Sequence, residues 1–290
     1  MRIAVYARPV IDNTSASVVN MLTQLKNASN EVFIYDKFYT FLQSNSSVGS
    51  DYKTFSDYTE VAQLDYMLSI GGDGTLLETI AMVRNSGVPV LGINTGRLGF
   101  LANVSKDEIN NAIGYLLTKN FSFEKRSLLQ LNTKNNLFGD INYALNEITI
   151  TKKDSTMMTI HAFLDGEFLN SYWADGLIVA TPTGSTAYSL SCGGPLMVPD
   201  AKSFVITPIA PHNLTVRPLI IPDDKVLTLK IEGRSKEFLV TLDSRSASID
   251  SSFELVIHKA DFKFNLIRFE NQSFFTTIRN KLNWGLDKRN

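Results

Sequence analysis

Residues 69 to 80 read SIGGDGTLLETI. The apolar run Tyr66–Ile70 enters three glycines set around one acid, and Leu76, Leu77, Ile80 and Val83 then fall on one side of a helix. A strand that turns through glycines into a helix presents backbone N–H groups at the positive end of that helix, which suits phosphate. Gly71, Gly72 and Gly74 let the main chain approach a ligand closely. Asp73 stands inside the same turn. Phosphate would repel it unless a divalent cation or a proton-bearing substrate group lay beside it. A carboxylate next to a hydroxyl can take its proton as the oxygen attacks phosphorus, so the turn reads as one for phosphoryl transfer to a hydroxyl. An Asp-Gly turn that only joins strand to helix has the same composition, and the turn alone leaves both readings open.

Outward from that turn the first 120 residues alternate. Ile3–Tyr6, Glu31–Tyr35 and Val88–Ile93 read as strands, and Val18, Val19, Leu22 and Leu25 share a helical face. Residues 42 to 52, rich in Ser and Asn, read as a loop. Ser105 and Glu108 fit a capping box ahead of an amphipathic helix carrying Ile109, Ala112, Ile113, Leu116 and Leu117. The alternation predicts a Rossmann-like α/β domain over 1–120 with a doubly wound parallel sheet. After residue 121 the pattern changes to short β-rich runs: Leu128–Asn132, Tyr143–Thr151, Thr159–Leu164, Glu167–Trp173, Val226–Ile231, Glu237–Leu242, Phe253–His258 and Lys263–Arg268. Asp165-Gly166 between two of them is a hairpin signal. A β-rich, β-sandwich-like domain over 121–268 follows, and residues 273 to 284 read as a closing helix.

Composition narrows the function classes. A net charge of −1 gives no electrostatic reason to expect nucleic acid or a membrane surface as partner. No apolar run approaches the roughly 18–20 residues of a membrane helix, and MRIAVYARPV reads as a first strand rather than a signal peptide. The single cysteine, Cys192, allows no intrachain disulfide, so a reducing, cytoplasmic setting is expected. One Cys and three scattered His make a structural zinc site an unfavourable reading. The chain also lacks a Gly-Lys dipeptide, a His-Arg-Asp triplet, a Gly-x-Ser-x-Gly elbow and a Gly-x-Gly-x-x-Gly fingerprint after a strand. Walker-A, protein-kinase, α/β-hydrolase and dinucleotide-fingerprint readings therefore fall away.

Two further segments bear on ligand binding. Asn146-Glu147 interrupts the apolar alternation of a β-run; an amide beside a carboxylate can read adenine edges or ribose hydroxyls, or the pair can face solvent at a bulge. Asp175-Gly176 precedes the apolar run Leu177–Ala180, and TPTGSTAYSLSCGGP, residues 181 to 195, follows it. Small and hydroxyl-bearing residues without bulky charge suit a turn that hugs a ligand, though a plain hydroxyl-rich loop is also consistent.

Together these segments resemble the ATP-dependent NAD kinase family. The markers are Gly71-Gly72-Asp73-Gly74-Thr75, Asn94-Thr95-Gly96 with Leu98-Gly99-Phe100, Asn146-Glu147, Asp175-Gly176 and Thr181 to Pro195. They span most of the chain in the family's order. The resemblance implies an α/β domain completed by residues 269–290, a β-rich dinucleotide domain, and a homo-oligomer (dimer or tetramer) with the NAD site near a subunit contact. It implies transfer of the γ-phosphoryl of ATP, with Mg²⁺ or Mn²⁺, to the 2′-hydroxyl of the adenosine ribose of NAD. By the same resemblance Asp73 is the proton acceptor and Gly74 lines its site. Asn146, Glu147, Asp175, Thr186, Ala187, Tyr188, Ser189, Leu190, Ser191 and Ala210 are dinucleotide contacts.

One position departs from the family. Relatives often carry Asp-Gly-Gln where this chain has Asp243-Ser244-Arg245; Arg245, counted among the ligand contacts, could hold a phosphate through a charge-assisted bond or face solvent. Trp173 stands where relatives often carry a polar or basic residue; it can stack on a ring or pack as core, and core packing is the favoured reading. Cys192 has no neighbouring His and reads as inert. His161 and His258 read as structural, His212 is open between contact and none, and Phe274, Phe275 and Trp284 read as core. Related lipid and sugar kinases share a Gly-Gly-Asp turn but differ in the later segments. A non-catalytic dinucleotide sensor is the rival from another class, and an unaltered Asp73 argues against it.

Overall fold

The computed structural model describes residues 1–10, 15–28, 30–46, 48–96, 99–270 and 272–285. In chain order the elements are β1 (Arg2–Ala7), α1 (Ser15–Asn27), β2 (Glu31–Tyr35), α2 (Asp36–Asn45), β3 (Lys53–Phe55), α3 (Tyr58–Val61), β4 (Tyr66–Ile70), α4 (Asp73–Val83), β5 (Val90–Ile93), α5 (Ile109–Leu117) and β6 (Ser122–Arg126). They continue with β7 (Leu129–Asn132), β8 (Tyr143–Ala144), β9 (Glu147–Lys152), β10 (Met158–Leu164), β11 (Glu167–Ala174), β12 (Gly176–Ala180), α6 (Tyr188–Ser191), β13 (Ser203–Ile209) and β14 (Leu219–Pro222). The last are β15 (Leu227–Gly233), β16 (Phe238–Leu242), β17 (Arg245–Ile249), β18 (Glu254–Lys259), β19 (Phe264–Arg268) and α7 (Phe274–Leu282). They divide into two units, one of Met1–Lys125 with the segment from Phe264 on, the other of Arg126–Lys263.

The first unit is the α/β one. Its sheet has the order β3-β2-β1-β4-β5-β19-β6, and β1 pairs in parallel with both β2 and β4. The chain thus winds outward from β1 in one direction and resumes at β4 in the other, which makes the crevice beyond β1 and β4 a topological switch point. Ile3, Val5, Ile34, Leu68 and Leu91 of the strands pack with Val18, Leu22 and Leu25 of α1 and with Ile109, Ala112, Ile113 and Leu116 of α5. Glu108 accepts from the backbone N–H of Ser105 at 3.0 Å, the return bond of the expected box. The early part of the Ser/Asn-rich stretch departs from the loop reading, because α2 runs through Asn45 and buries Phe38, Tyr39 and Leu42. The strand read at Lys263–Arg268, here β19, lies in this sheet, as does β6, whose residues fall within the expected 121–268 domain without a strand reading of their own. The closing helix α7 belongs here as well: it buries Ile278 and sets the Lys281 ammonium 4.6 Å from the centre of the Phe100 ring. Phe275 and Trp284, read as core, are more than half exposed.

The second unit packs two six-stranded sheets, β11-β10-β15-β18-β7-β8 and β14-β13-β12-β9-β16-β17. Ile160, Leu229 and Leu255 from one sheet and Ile148, Val179, Phe204 and Val240 from the other build its core. The alternating burial of β10 and β16 is what a face-to-face sandwich requires. Asp165 and Gly166 both have positive φ, as in the two-residue turn that matches strand twist. β12 is buried on both sides, because Ile178 and Ala180 pack outward against Met197 and Val205. The hydroxyl-rich segment after β12 therefore covers the outer face of its own sheet.

Candidate functional site

In the α/β unit the glycine turn falls at the switch point. A cavity of about 220 Å³ opens there, lined by Ala7 at the end of β1 and Arg8 after it, by Ile70, Gly71, Gly72 and Thr75 around the turn, and by apolar side chains including Phe38 and Phe41 of α2. Asp73 begins α4. Its carboxylate collects three consecutive backbone N–H groups: Phe100 donates to Oδ2 at 2.7 Å, Leu101 to Oδ1 at 3.1 Å and Ala102 to Oδ1 at 2.9 Å. An ionised carboxylate offers about four acceptor positions on two oxygens. Oδ1 accepts two of these bonds and Oδ2 one, which leaves one acceptor place on Oδ2. Gly99 makes this approach possible, since a Cβ there would lie 1.8 Å from Oδ1. Asn94 supports the neighbouring turn, its Oδ1 accepting from the Gly96 N–H at 2.8 Å. Leu98 of the expected motif lies outside the described residues, as do residue 271 and residues 286 to 290 of the closing segment.

The β-rich unit repeats the device with a second acid. Asp243, itself at φ +51°, accepts from the N–H groups of Leu145 and Asn146 at 2.8 Å each and of Glu147 at 3.2 Å. This grip fixes the break between β8 and β9, where Leu145 and Asn146 sit, and the first residue of β9, Glu147. On its other side the Asn146 carbonyl accepts from the Thr181 N–H at 2.9 Å, and a Cβ on Gly184 would stand 2.1 Å from that carbonyl oxygen. Three separate stretches, 145–147, 181–184 and 243–245, therefore meet at one point.

The electrostatics there are unusual. Burial, with the Asp243 charge nearby, pushes the Glu147 carboxyl up to about 8, and burial raises Asp243 as well. Asp243 has three N–H donors, whereas the buried Oε2 of Glu147 has no hydrogen-bond partner, so the pair's proton belongs on Glu147. Arg245 is half-buried and turned toward main chain. Its Nη1 and Nη2 donate to the carbonyls of Ile141 and Tyr143, because β17 turns back beside the segment leading into β8.

The remaining dinucleotide candidates divide. In the segment after β12, Tyr188 and Ser191 are exposed and Thr186, Ala187 and Leu190 are half-buried. Ser189 is fully buried with its hydroxyl 2.8 Å from that of Thr207. Asp175 and Ala210 lie together at the opposite end of β12, where the Asp175 N–H donates to the Ile209 carbonyl at 3.0 Å and its carboxylate meets Lys152 at 2.6 Å. Ala210 is exposed and has φ +43°. The length of β12 separates this pair from Asn146 and Thr181 by roughly 15–20 Å. Trp173, expected in the core, is half-exposed with its ring 5.4 Å from that of His212, whose backbone N–H donates to the Trp173 carbonyl. The Cys192 thiol is raised by burial. His161 spans strands, between Ser171 at 2.7 Å and Glu232 at 3.0 Å, and His258 stands 2.9 Å from Asn132.

A doubly wound sheet with a glycine turn and a fixed acid at its switch point, joined in one chain to a β sandwich, defines a nucleotide-using phosphotransferase. The model of the ATP-NAD kinase N-terminal domain matches residues 4–121 and that of the ATP-NAD kinase C-terminal domain residues 145–269. NAD kinases of Flavobacterium johnsoniae and Cytophaga hutchinsonii are 47% and 46% identical over the full length of both chains. The chain belongs to the NAD kinase family. The crystal structure of yeast NADH kinase complexed with NADH shares the fold, with a TM-score of 0.89 at 24% identity over 99% of this chain and 88% of that one. An NAD kinase from Archaeoglobus fulgidus in complex with ATP gives 0.76 at 25% identity over 98% and 99%.

Proposed function

We propose that this protein is an NAD kinase that moves the γ-phosphoryl of ATP to the 2′-hydroxyl of the adenosine ribose of NAD, giving NADP. The observation that carries the chemistry is the Asp73 carboxylate, fixed by three N–H groups with one acceptor position left on Oδ2. The acceptor hydroxyl donates to that position and loses its proton to Asp73 as its oxygen attacks phosphorus. Gly71, Gly72 and Gly74 supply main-chain contacts for the donor phosphates. Asn146, Glu147 and the exposed part of 186–191 contact the dinucleotide. Arg245 acts through the main chain it holds rather than by touching ligand.

A Mg²⁺ or Mn²⁺ ion, which keeps waters and phosphate oxygens, would arrive bound to the triphosphate. There it would screen the donor's negative charge. No described helix is long and apolar enough to cross a membrane. A cytoplasmic setting fits the lone free thiol of Cys192.

A homo-oligomer fits the division of the dinucleotide candidates. Asp175 and Ala210 lie at the far end of β12 from Asn146, and a second copy packed on that end would sit beside a ligand held there. Trp173 and Leu214 are exposed, as are Leu219 and Ile220 on the edge strand β14, and self-association would cover such side chains.

The test is incubation of the purified protein with ATP, Mg²⁺ and NAD, followed by an NADP-specific dehydrogenase, beside a panel of lipid and sugar acceptors. ATP-dependent NADP with none of the other products supports the reading. Phosphorylation of a lipid or sugar alone, or NAD binding without ATP consumption, overturns it.

A further inference from the structure

A second charged device stands over the glycine turn, and neither the family markers nor the chemistry of Asp73 uses it. Glu78, on α4, accepts from Arg8 along one whole edge of the guanidinium, Nε to Oε2 at 3.0 Å and Nη2 to Oε1 at 2.6 Å. The hydroxyl of Tyr6, the second-last residue of β1, donates to the same Oε2 at 3.0 Å. Burial, with the Glu78 charge beside it, raises this hydroxyl well above the usual tyrosine range, so it remains a donor throughout the working pH. Both acceptor oxygens of Glu78 are thus directed at Arg8 and Tyr6. The guanidinium cannot rotate without breaking a bidentate pair.

What that fixed guanidinium faces gives it a task. Arg8 borders the 220 Å³ cavity together with Gly71, Gly72 and Thr75, and its Nη2 lies 3.8 Å from the place a Cβ on Gly74 would occupy. Its side chain is 47% exposed, so its open edge is within reach of a ligand from solvent. Five N–H bonds leave a guanidinium. Glu78 takes two, and the two of Nη1 with the second of Nη2 remain, a further edge with the spacing that pairs with two phosphate oxygens. A surface ion pair that merely tied β1 to α4 would contribute at most about 1 kcal/mol. It would not need a tyrosine hydroxyl as a third anchor, nor a position above a turn whose N–H groups suit the same anion.

We infer that Arg8 is a donor-binding residue that grips the terminal phosphates of the nucleoside triphosphate, and that Glu78, with Tyr6, is the positioning residue that aims it. The inference rests on the kinase reading above and deepens it. Glu78 removes net charge from Arg8 and supplies direction in exchange, so the pair discriminates by geometry: a doubly coordinated phosphate is held and a diffuse anion is not. Lysine, a point donor with no second edge, cannot replace Arg8.

The experiment is steady-state kinetics of NADP formation for wild type, Arg8→Ala, Arg8→Lys, Glu78→Ala and the Arg8→Ala/Glu78→Ala pair, with calorimetric titration of Mg·ATP into each protein and its melting temperature. Both Arg8 variants should raise KM for ATP at least tenfold while KM for NAD stays within about twofold and the melting temperature within a few degrees. Glu78→Ala should raise KM for ATP less than Arg8→Ala does. The double variant should be no worse than Arg8→Ala, because Glu78 acts only through Arg8. If the wild type makes NADP and Arg8→Ala binds ATP as tightly as it does, the inference is overturned while the kinase reading survives. If the wild type makes no NADP yet loses ATP binding on Arg8→Ala, the kinase reading fails and the inference holds.

Discussion

Replacing Gly99 by alanine is the sharpest perturbation the structure offers, because it moves Asp73 without changing it. The new Cβ would stand 1.8 Å from Oδ1, 2.5 Å from Cγ and 2.7 Å from Oδ2, some 1.6 Å short of ordinary contact with Oδ1. Asp73 is short and held at both oxygens, so it cannot swing aside as the tip of a long side chain would. Either the carboxylate or the 99–102 turn must shift by more than 1 Å, enough to break one or two of the three N–H bonds. Hydrogen bonds to charged groups contribute about 1.5–3 kcal/mol each, so the loss is about 2–5 kcal/mol of stability. A misplacement of about 1 Å costs on the order of 100-fold in rate. The assay is NADP formation beside thermal unfolding. We expect kcat to fall about 100-fold or more, KM for NAD to stay within a few-fold, and the melting temperature to drop by several degrees. Near wild-type kcat in a protein that carries the alanine would refute the positioning argument.

Asp73→Asn should lower kcat by roughly 100- to 10,000-fold, and it should also lower the melting temperature, because an amide NH₂ would then face a backbone N–H that donates to Asp73 now. Unchanged stability would show that the three bonds contribute little. Glu147 gives a pH effect. Its carboxyl stands at about 8 against 4.5 for a free one, so the folded protein keeps a proton that the unfolded chain loses across this window. Stability therefore declines as pH rises from about 4.5 to about 8, with a slope of up to about 1.4 kcal/mol per pH unit. Glu147→Gln should flatten that decline and melt higher than wild type at pH 8–9; parallel melting curves from pH 5 to 9 would contradict it. Arg245→Ala should raise KM for NAD and lower the melting temperature, leaving KM for ATP unchanged, since the side chain holds the carbonyls before Asn146; a selective rise in KM for ATP would restore the phosphate role. Ile220→Asp should reduce the mass measured by light scattering if edge strand β14 is a subunit contact, and an unchanged mass would exclude that face.

Some of this was written locally and some was not. The strand Tyr66–Ile70, the glycine turn and the helix after it are contiguous, so periodicity and turn chemistry expose them. The Ser105–Glu108 box and the Asp165-Gly166 hairpin are legible for the same reason. Helix α2 is hidden because it begins at Asp36 directly after β2 with no connecting turn, and its Ser and Asn residues near the end resemble a loop. Strand β13 was missed because it carries Pro208, which within a run argues against a strand; burial between β12 and β14 overrides that preference. The strands β6 and β19 look like their β-rich neighbours in composition, and only pairing assigns them to the parallel sheet. The grips that set the candidate sites join Asp73 to residues 27–29 positions away, Arg8 to one 70 away and Asp243 to ones 96–98 away. No spacing rule in a single sequence contains such contacts. Arg245 shows the consequence, since its charge suggested phosphate while its neighbours in space are main-chain carbonyls.

The proposed reaction makes one specific bond, from the γ-phosphorus of ATP to the 2′-oxygen of the adenosine ribose of NAD. ³¹P NMR of a reaction of purified protein with Mg·ATP and NAD, repeated with the Gly99→Ala variant, reads that bond directly. A new phosphomonoester resonance matching authentic NADP should appear and grow with ADP in equal amounts, much slower in the variant. ATP turnover without that resonance, or a monoester on any other hydroxyl, would contradict it.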